Sequence, residues 1–271
     1  MIYICHHAVP DYTLDLPMFS TLVSGVAAPP DGAFKSDLDG ENISSQLEHS
    51  EMRQQFYVWR NTLKHYDYVG FEHYRRLFFL DPLLDDQIRE RFPFIQQARF
   101  KFLGDQHMAR LVVTRPEFDA YVTMRRQLTF SALENLKSWI ASHDIIVQRP
   151  LFSMALDEQW KTTHMADMWD TLVEATLQNR YFDHHPMQID FAMKTPHYCN
   201  MYIMKAEIFD EYMHFWWDSI GYIKRRITVS PRVLGHFSER LFNFFLMQKR
   251  MESPLLRVGM LPHLFLDQQT G

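Results

Sequence analysis

Tyr66-Asp-Tyr-Val-Gly-Phe71, followed without interruption by Glu72-His-Tyr-Arg-Arg76, is the stretch on which the fold turns. The first half is an apolar, β-prone run that reads as a buried strand, and the second is a polar cluster at its C-terminal end. In open α/β sheets, ligands bind in the crevice outside the carboxyl ends of the strands. The segment therefore predicts a sheet and places a site on it. Two adjacent arginines beside His73 and Tyr74 offer planar, multidentate donors suited to a diphosphate. The spacing alone equally fits an exposed loop whose arginines pair with acidic neighbours.

Upstream, Ile2 to Cys5 is a short β-prone run ending in His6-His7, and Pro10, Pro17, Pro29 and Pro30 predict an irregular stretch to about Asp39. Residues Glu51 to Leu63 place Met52, Phe56, Trp59 and Leu63 at helical spacing, with Ser50 as the N-cap. Downstream, Asp81 to Phe94 reads as helical or irregular, Leu111 to Thr114 as a strand, and Phe130 to Ser142 as a helix capped by Ser131. Asp144 to Val147 reads as a strand, Leu156 to Leu177 as one long amphipathic helix, and Asn200 to Met204 as a strand backed by a helix from Ala206 to Tyr222. A last helix runs from near Pro231 through Leu246, leaving a short tail. Strands alternating with helices predict a single α/β domain with a helical elaboration.

Composition narrows the function. A 15% aromatic content predicts a heavy aromatic core before it predicts a ligand platform. A net charge of −5 argues against a general nucleic-acid partner, because a phosphate backbone demands a basic face. Cys5 and Cys199 are the two cysteines, so neither a disulfide framework nor a zinc site is indicated, and a reducing cytoplasm fits. The N-terminus lacks the basic and long apolar regions of a signal peptide. No run approaches the ~18 apolar residues that span a bilayer, which leaves at most peripheral membrane contact. The motifs of serine hydrolases, zincins, P-loop proteins and Rossmann dinucleotide enzymes are missing. Asp37-Leu-Asp39 has the letters of a metal-binding DxD, but it follows a Pro-rich loop instead of an apolar strand.

Three further groups combine residue types that carry chemistry. Asp39-Gly-Glu-Asn-Ile-Ser44 is a turn whose Asp39 and Asn42 could hold hydroxyls or a ribose edge, and a plain turn explains it as well. Glu239 with Arg240 is expected near a helix start, after a Gly235-His-Phe-Ser238 loop. There Glu239 fits a general base for a sugar hydroxyl, or equally a capping or helix-dipole partner. Trp160, His164 and Asp167 share one helix face and fit either a sugar platform with a polar clamp or an ordinary solvated surface.

Taken in order, these blocks resemble a family of bacterial capsular and exopolysaccharide biosynthesis proteins long catalogued as a domain of unknown function and tied to galactofuranosyltransferase activity. The resemblance rests on Asp37-Leu-Asp-Gly-Glu-Asn-Ile-Ser44, on Glu51, Tyr57, Trp59, Arg60 and Asn61, and on Tyr68, Gly70, His73, Tyr74, Arg75 and Arg76. It continues through Tyr198-Cys-Asn-Met-Tyr-Ile-Met-Lys-Ala-Glu-Ile-Phe-Asp-Glu-Tyr212 and Arg232-Val-Leu-Gly-His-Phe-Ser-Glu-Arg-Leu-Phe-Asn243. It leaves about 80–142 unmatched. The resemblance implies a glycosyltransferase A-type, Rossmann-like single sheet, with a nucleotide-sugar half at about 1–110 and an acceptor half at about 140–271.

The resemblance also implies roles. Glu239 would be the base of an inverting transfer, and His73, Arg75 and Arg76 would neutralise the departing diphosphate where many relatives of this fold use a metal. Mn²⁺ or Mg²⁺ would enter only if Glu72 holds it. His6, Asp39, Asn42, Tyr74 and Arg240 would hold the nucleotide, and Asn200, Trp160 and His164 the sugars. The partners implied are a UDP-sugar donor, galactofuranose or galactose, and an oligosaccharide or lipid-linked acceptor. The rival expectation is a non-catalytic carbohydrate-binding subunit of a polysaccharide assembly complex.

Overall fold

The computed structural model describes residues 1–80, 99–100, 111–150, 155–163, 168–194 and 196–266; for Arg99, Phe100, Leu111 and Thr163 the description covers the backbone alone. The chain opens with β1 (Ile2–His6), β2 (Phe19–Val23) and β3 (Lys35–Ser36), then α1 (Met52–Asn61) and β4 (Tyr68–His73). A tight hairpin leads into β5 (Arg76–Phe78), and β6 (Arg99–Phe100) and β7 (Leu111–Val113) precede α2 (Arg115–Arg126) and α3 (Phe130–Ala141). The second half carries β8 (Ile145–Gln148), α4 (Leu156–Thr163), α5 (Trp169–Leu177) and β9 (Tyr202–Lys205). It ends with α6 (Ala206–Arg226), α7 (Val233–Glu252), β10 (Val258–Leu261) and β11 (His263–Leu266).

All the described strands belong to one sheet. Its main run is β3-β2-β1-β4-β9-β8-β10, parallel throughout except for β9. At the C-terminal end of β4 the chain folds back through β5 into a side branch, β5-β11-β7-β6. Gly70 lies where β1, β4 and β9 meet: a Cβ there would come 2.7 Å from Cγ1 of Ile203 and 3.2 Å from Cγ1 of Ile2. The close approach of these strands demands a residue without a side chain.

Hydrophobic periodicity located β1, β4 and the helices, and the departures from it have local causes. The strand β4 begins at Tyr68 and takes in Glu72 and His73. Within the Pro-punctuated stretch lie two strands, because Phe19–Val23 is fully buried between β1 and β3. The carboxylate of Asp37 then anchors the chain, accepting from Ser24 Oγ at 2.5 Å and the Gly25 amide at 2.8 Å. The supposed tail supplies β10 and β11. Leu156 to Leu177 is two helices, with 164–167 outside the described residues. Glu51, not Ser50, stands at the N-cap of α1, and Thr129, not Ser131, caps α3 by accepting from the Ala132 amide at 3.3 Å. Gly235 to Ser238 is helical, so Glu239 sits two turns inside α7. The reading of Asp81 to Phe94 lies outside the described residues.

The aromatic surplus goes into the core. Tyr202 stacks on Phe242 at 4.5 Å, Tyr212 packs edge-on against Phe242 at 5.5 Å, and Trp216 donates to Ser238 Oγ at 2.7 Å.

Candidate active site

The parallel strands β1 and β4 end side by side, with Cys5 opposite His73. Just beyond those ends is a cavity of about 380 Å³. Its walls come from both halves of the chain. Cys5 and His6 end β1 and His7 follows it, Ser50, Glu51, Arg53 and Gln54 come from the start of α1, His73 to Arg76 form the β4–β5 hairpin, and Pro231, Arg232, Gly235, His236 and Glu239 come from the entry and first turns of α7. The hairpin is fixed from three sides. The Tyr74 amide donates to Cys5 O at 3.1 Å, Tyr12 Oη donates to Tyr74 O at 3.1 Å, and the Leu266 amide donates to Arg75 O at 2.8 Å. The guanidinium groups of Arg75 and Arg76 lie over Phe265 at 5.7 and 5.1 Å, and Arg75 also covers Tyr74 at 5.0 Å.

Alternation along β4 divides Glu72 from His73. Glu72 points into the protein, where Oε2 pairs with buried Arg125 of α2 at 2.8 Å and Oε1 accepts the Phe78 amide at 2.8 Å. Both side chains are fully buried. Glu72 is thus a structural anion and not a candidate metal ligand. His73 points the other way, into the cavity, with Nε2 3.4 Å from Oε2 of Glu51.

Two carboxylates face this space. Burial opposes the charge on Glu51, but His73, its own backbone and Arg76 outweigh it and bring its pKa down to about 2. Burial in turn lowers the His73 pKa below the usual imidazole value despite the pull of Glu51. At neutral pH the pair is therefore a carboxylate and a neutral imidazole, and buried Nδ1 of His73 has no hydrogen-bond partner. Glu239 accepts the Cys199 amide at 2.8 Å on Oε1 and Arg240 at 2.7 Å on Oε2. Burial opposes its charge as well, yet His236 and Arg240 hold it below the usual carboxylate range.

Against these two anions stand four arginines, Arg53, Arg75, Arg76 and Arg232, with His6, His7 and His236 around them. Arg53 spends donors on Ser44 O at 2.7 Å and Ser50 O at 2.9 Å, which shapes the turn before α1. Arg76 Nε is buried without a hydrogen-bond partner. Arg232 enters α7 in the left-handed conformation, φ 74°. The arrangement is a cationic bowl with two fixed carboxylates on its wall, suited to a diphosphate joined to a polyhydroxylated group. Among the described residues no three His, Cys, Asp or Glu side chains converge in metal-binding geometry.

Of the residues singled out in the sequence, His6, His73, Tyr74, Arg75, Arg76 and Glu239 line this cavity. Others lie elsewhere. Asp39 is exposed in a short 3-10 turn, and Asn42 closes a local turn, donating to Gly40 O at 2.7 Å and accepting from the Ser44 amide at 3.1 Å. Trp160 is a core residue stacked on Phe237 at 4.8 Å, which leaves no open face for a sugar. Arg240 is buried behind Glu239 and also donates to His236 O and Gln159. Asn200 is buried behind the wall, donating to Gly235 O at 3.2 Å and reaching Glu51 at 3.4 Å. His164 lies outside the described residues. Glu51, Arg53, Arg232 and His236 escaped notice as site residues. Glu51, Arg232 and His236 fall in the blocks that carry the resemblance, and the local signal of all four was polar residues at the entrances of two amphipathic helices, which solvated helix ends share.

The parallel sheet with one reversed strand and the helices around it give a Rossmann-type α/β fold of the glycosyltransferase A-like kind. Residues 1–250 match the family described as a domain of unknown function (DUF4422), and the chain belongs to that family. Among solved structures, the chain is similar to WbbM, a bifunctional glycosyltransferase in its apo form, with a TM-score of 0.63 and 19% identity. That similarity covers 98% of this chain and 45% of the WbbM chain, so this protein spans less than half of that one's length. No curated protein matches the chain. No described helix is long and apolar enough to cross a membrane.

Proposed function

We propose that this protein transfers a hexosyl group from a nucleoside-diphosphate sugar to a glycan acceptor, in the assembly of a bacterial capsule, O-antigen or exopolysaccharide. The observation that carries this reading is the convergence of Arg53, Arg75, Arg76 and Arg232 on one cavity with ionised Glu51 and Glu239, at the strand ends of a glycosyltransferase-like sheet. UDP-galactofuranose, then UDP-galactose, are the donors to try first, a choice that rests on the sequence resemblance.

In the proposed reaction the diphosphate lies against the arginines, with the anomeric carbon turned towards the carboxylates. The acceptor hydroxyl gives its proton to Glu239 and attacks the anomeric carbon from the face opposite the leaving group. The bond to the diphosphate oxygen breaks as the new glycosidic bond forms, which inverts the anomeric centre. Guanidinium donors fixed before the reaction stabilise charge as it develops on the leaving oxygen, a contribution whose loss typically costs ~10²–10³-fold in rate. Glu239 is suited to accept a proton because it is ionised at neutral pH, while its bonds to Cys199 and Arg240 fix its direction.

The test is a thermal-shift panel of UDP, GDP and CMP sugars with and without Mn²⁺, followed by measurement of UDP release in the presence of glycan acceptors. Binding of N but not U raises the melting temperature by mass action. Stabilisation by UDP sugars, undiminished by chelator, is expected. Binding of glycans with no response to any nucleotide sugar would instead favour a carbohydrate-binding subunit.

A further inference from the structure

Cys199 and Asn200 are consecutive non-glycine residues in the left-handed region, with φ 72° and 47°. Asparagine tolerates that conformation, whereas a cysteine there meets the clash of its Cβ. Such residues persist only where their surroundings over-determine them, and they cluster at functional sites. The surroundings here do that. Ahead of the turn, Asn243 grips His197 on both sides, accepting its amide at 2.7 Å and donating to its carbonyl at 2.6 Å. Within it, Gln55 Nε2 donates to Asn200 O at 2.8 Å, and Tyr202 Oη holds Gln55 in turn.

The turn reaches both cavity carboxylates. The Cys199 amide donates to Glu239, and the Asn200 side-chain amide reaches Glu51 at 3.4 Å while also donating to Gly235 O in the first turn of α7. Glu51 and Glu239 come from helices 188 positions apart in the chain, and one dipeptide ties them together. We propose that the left-handed Cys199–Asn200 turn is a positioning device that sets the spacing and direction of the two carboxylates. On the glycosyl-transfer reading given above, on which its catalytic consequence rests, it aligns the proton acceptor with the arginine bowl. Asn200 is then a positioning residue and not a sugar ligand, and the backbone strain is the cost of holding two acids at once.

Two variants keep the turn and separate its parts. Asn200→Asp accepts the left-handed conformation but sets a second carboxylate beside Glu51, so the His73 ring, followed by NMR in the unliganded protein, should titrate about one unit higher. The other titratable or charged neighbours of His73, namely Glu51, Arg75, Arg76, His6 and His7, are unchanged in that variant. With UDP-galactose as probe, Asn200→Gly should lower kcat for UDP release roughly 10²-fold with KM within about twofold. A merely structural role would lower the melting temperature and leave kcat and its pH profile alone. An unchanged His73 titration in Asn200→Asp overturns the clamp. A wild-type protein that neither binds nor cleaves any UDP sugar overturns the transfer reading instead, and the His73 titration still decides the clamp.

Discussion

The pleat at the end of β4 sends adjacent side chains to opposite faces, and this separates stability from chemistry within five residues. Removing one partner of a fully buried ion pair leaves an uncompensated charge, which typically costs about 3–5 kcal/mol. Glu72→Gln or Arg125→Leu should therefore lower the urea midpoint sharply, while the double variant Glu72→Met with Arg125→Leu should recover much of the loss. Arg76, by contrast, forms no ion pair among the described residues and has a buried Nε without a partner. Arg76→Ala should unfold at nearly the wild-type urea concentration and lose roughly 10²–10³-fold in UDP release. Glu239→Gln should still bind UDP but turn over at least about 10²-fold more slowly. Near-normal turnover in that variant would move the proton acceptor elsewhere, with Glu51 the first alternative.

Among the elements, Gly235 and Gly70 mark contacts that leave no room for a side chain. A Cβ on Gly235 would lie 2.7 Å from Oγ and 2.8 Å from Cβ of Ser50, in the turn that carries Glu51 into the cavity. Gly235→Ala should push the start of α7 away from that turn, at a cost of roughly 1–3 kcal/mol by urea denaturation, and should weaken UDP binding as well. Gly70→Ala meets the Ile203 and Ile2 side chains in the sheet and should lower stability by a similar amount without an effect on ligand affinity beyond it. Elements with several turns of periodic apolar residues, such as α1 and α6, were legible because the pattern repeats within the element. β3 has two residues and β11 four, and such segments acquire an identity only from the strands beside them. Gly235 suggested a loop because glycine disfavours helix by about 1 kcal/mol, and the packing of α7 on the Ser50 turn overrides that preference.

Over the whole molecule, buried histidines set the response to acid. Burial holds His6, His49 and His197 at about 4, against an ordinary value of 6.5. Between those values the unfolded chain binds more protons than the native one, so stability must fall as pH drops through that window. Glu51, held at about 2 against 4.5, adds a contribution that is complete above pH 4.5 and is lost below it. The melting temperature should thus decline as pH drops from about 6.5 to 4, and fall further beneath. A flat curve down to pH 5 would mean that these histidines are hydrated in the native state.

The sequence by itself determined the alternation of strands and helices, and the arginines, histidine and tyrosine at the C-terminal end of β4, because these depend on local periodicity and on one contiguous polar cluster. For Glu239 local reading left a general base and a capping or helix-dipole partner equally open, and only the resemblance favoured the base, since a carboxylate in a helix has no local mark of function. Tertiary structure alone decided that Glu51 and Glu239 face each other's surroundings across 188 positions, that Glu72 and Arg125 are a sealed pair, and that Trp160 and Arg240 belong to the core. The physical reason is the same in each case. A side chain's charge state and direction are set by the neighbours that desolvate and hydrogen-bond it, and those neighbours arrive from distant segments when the sheet closes.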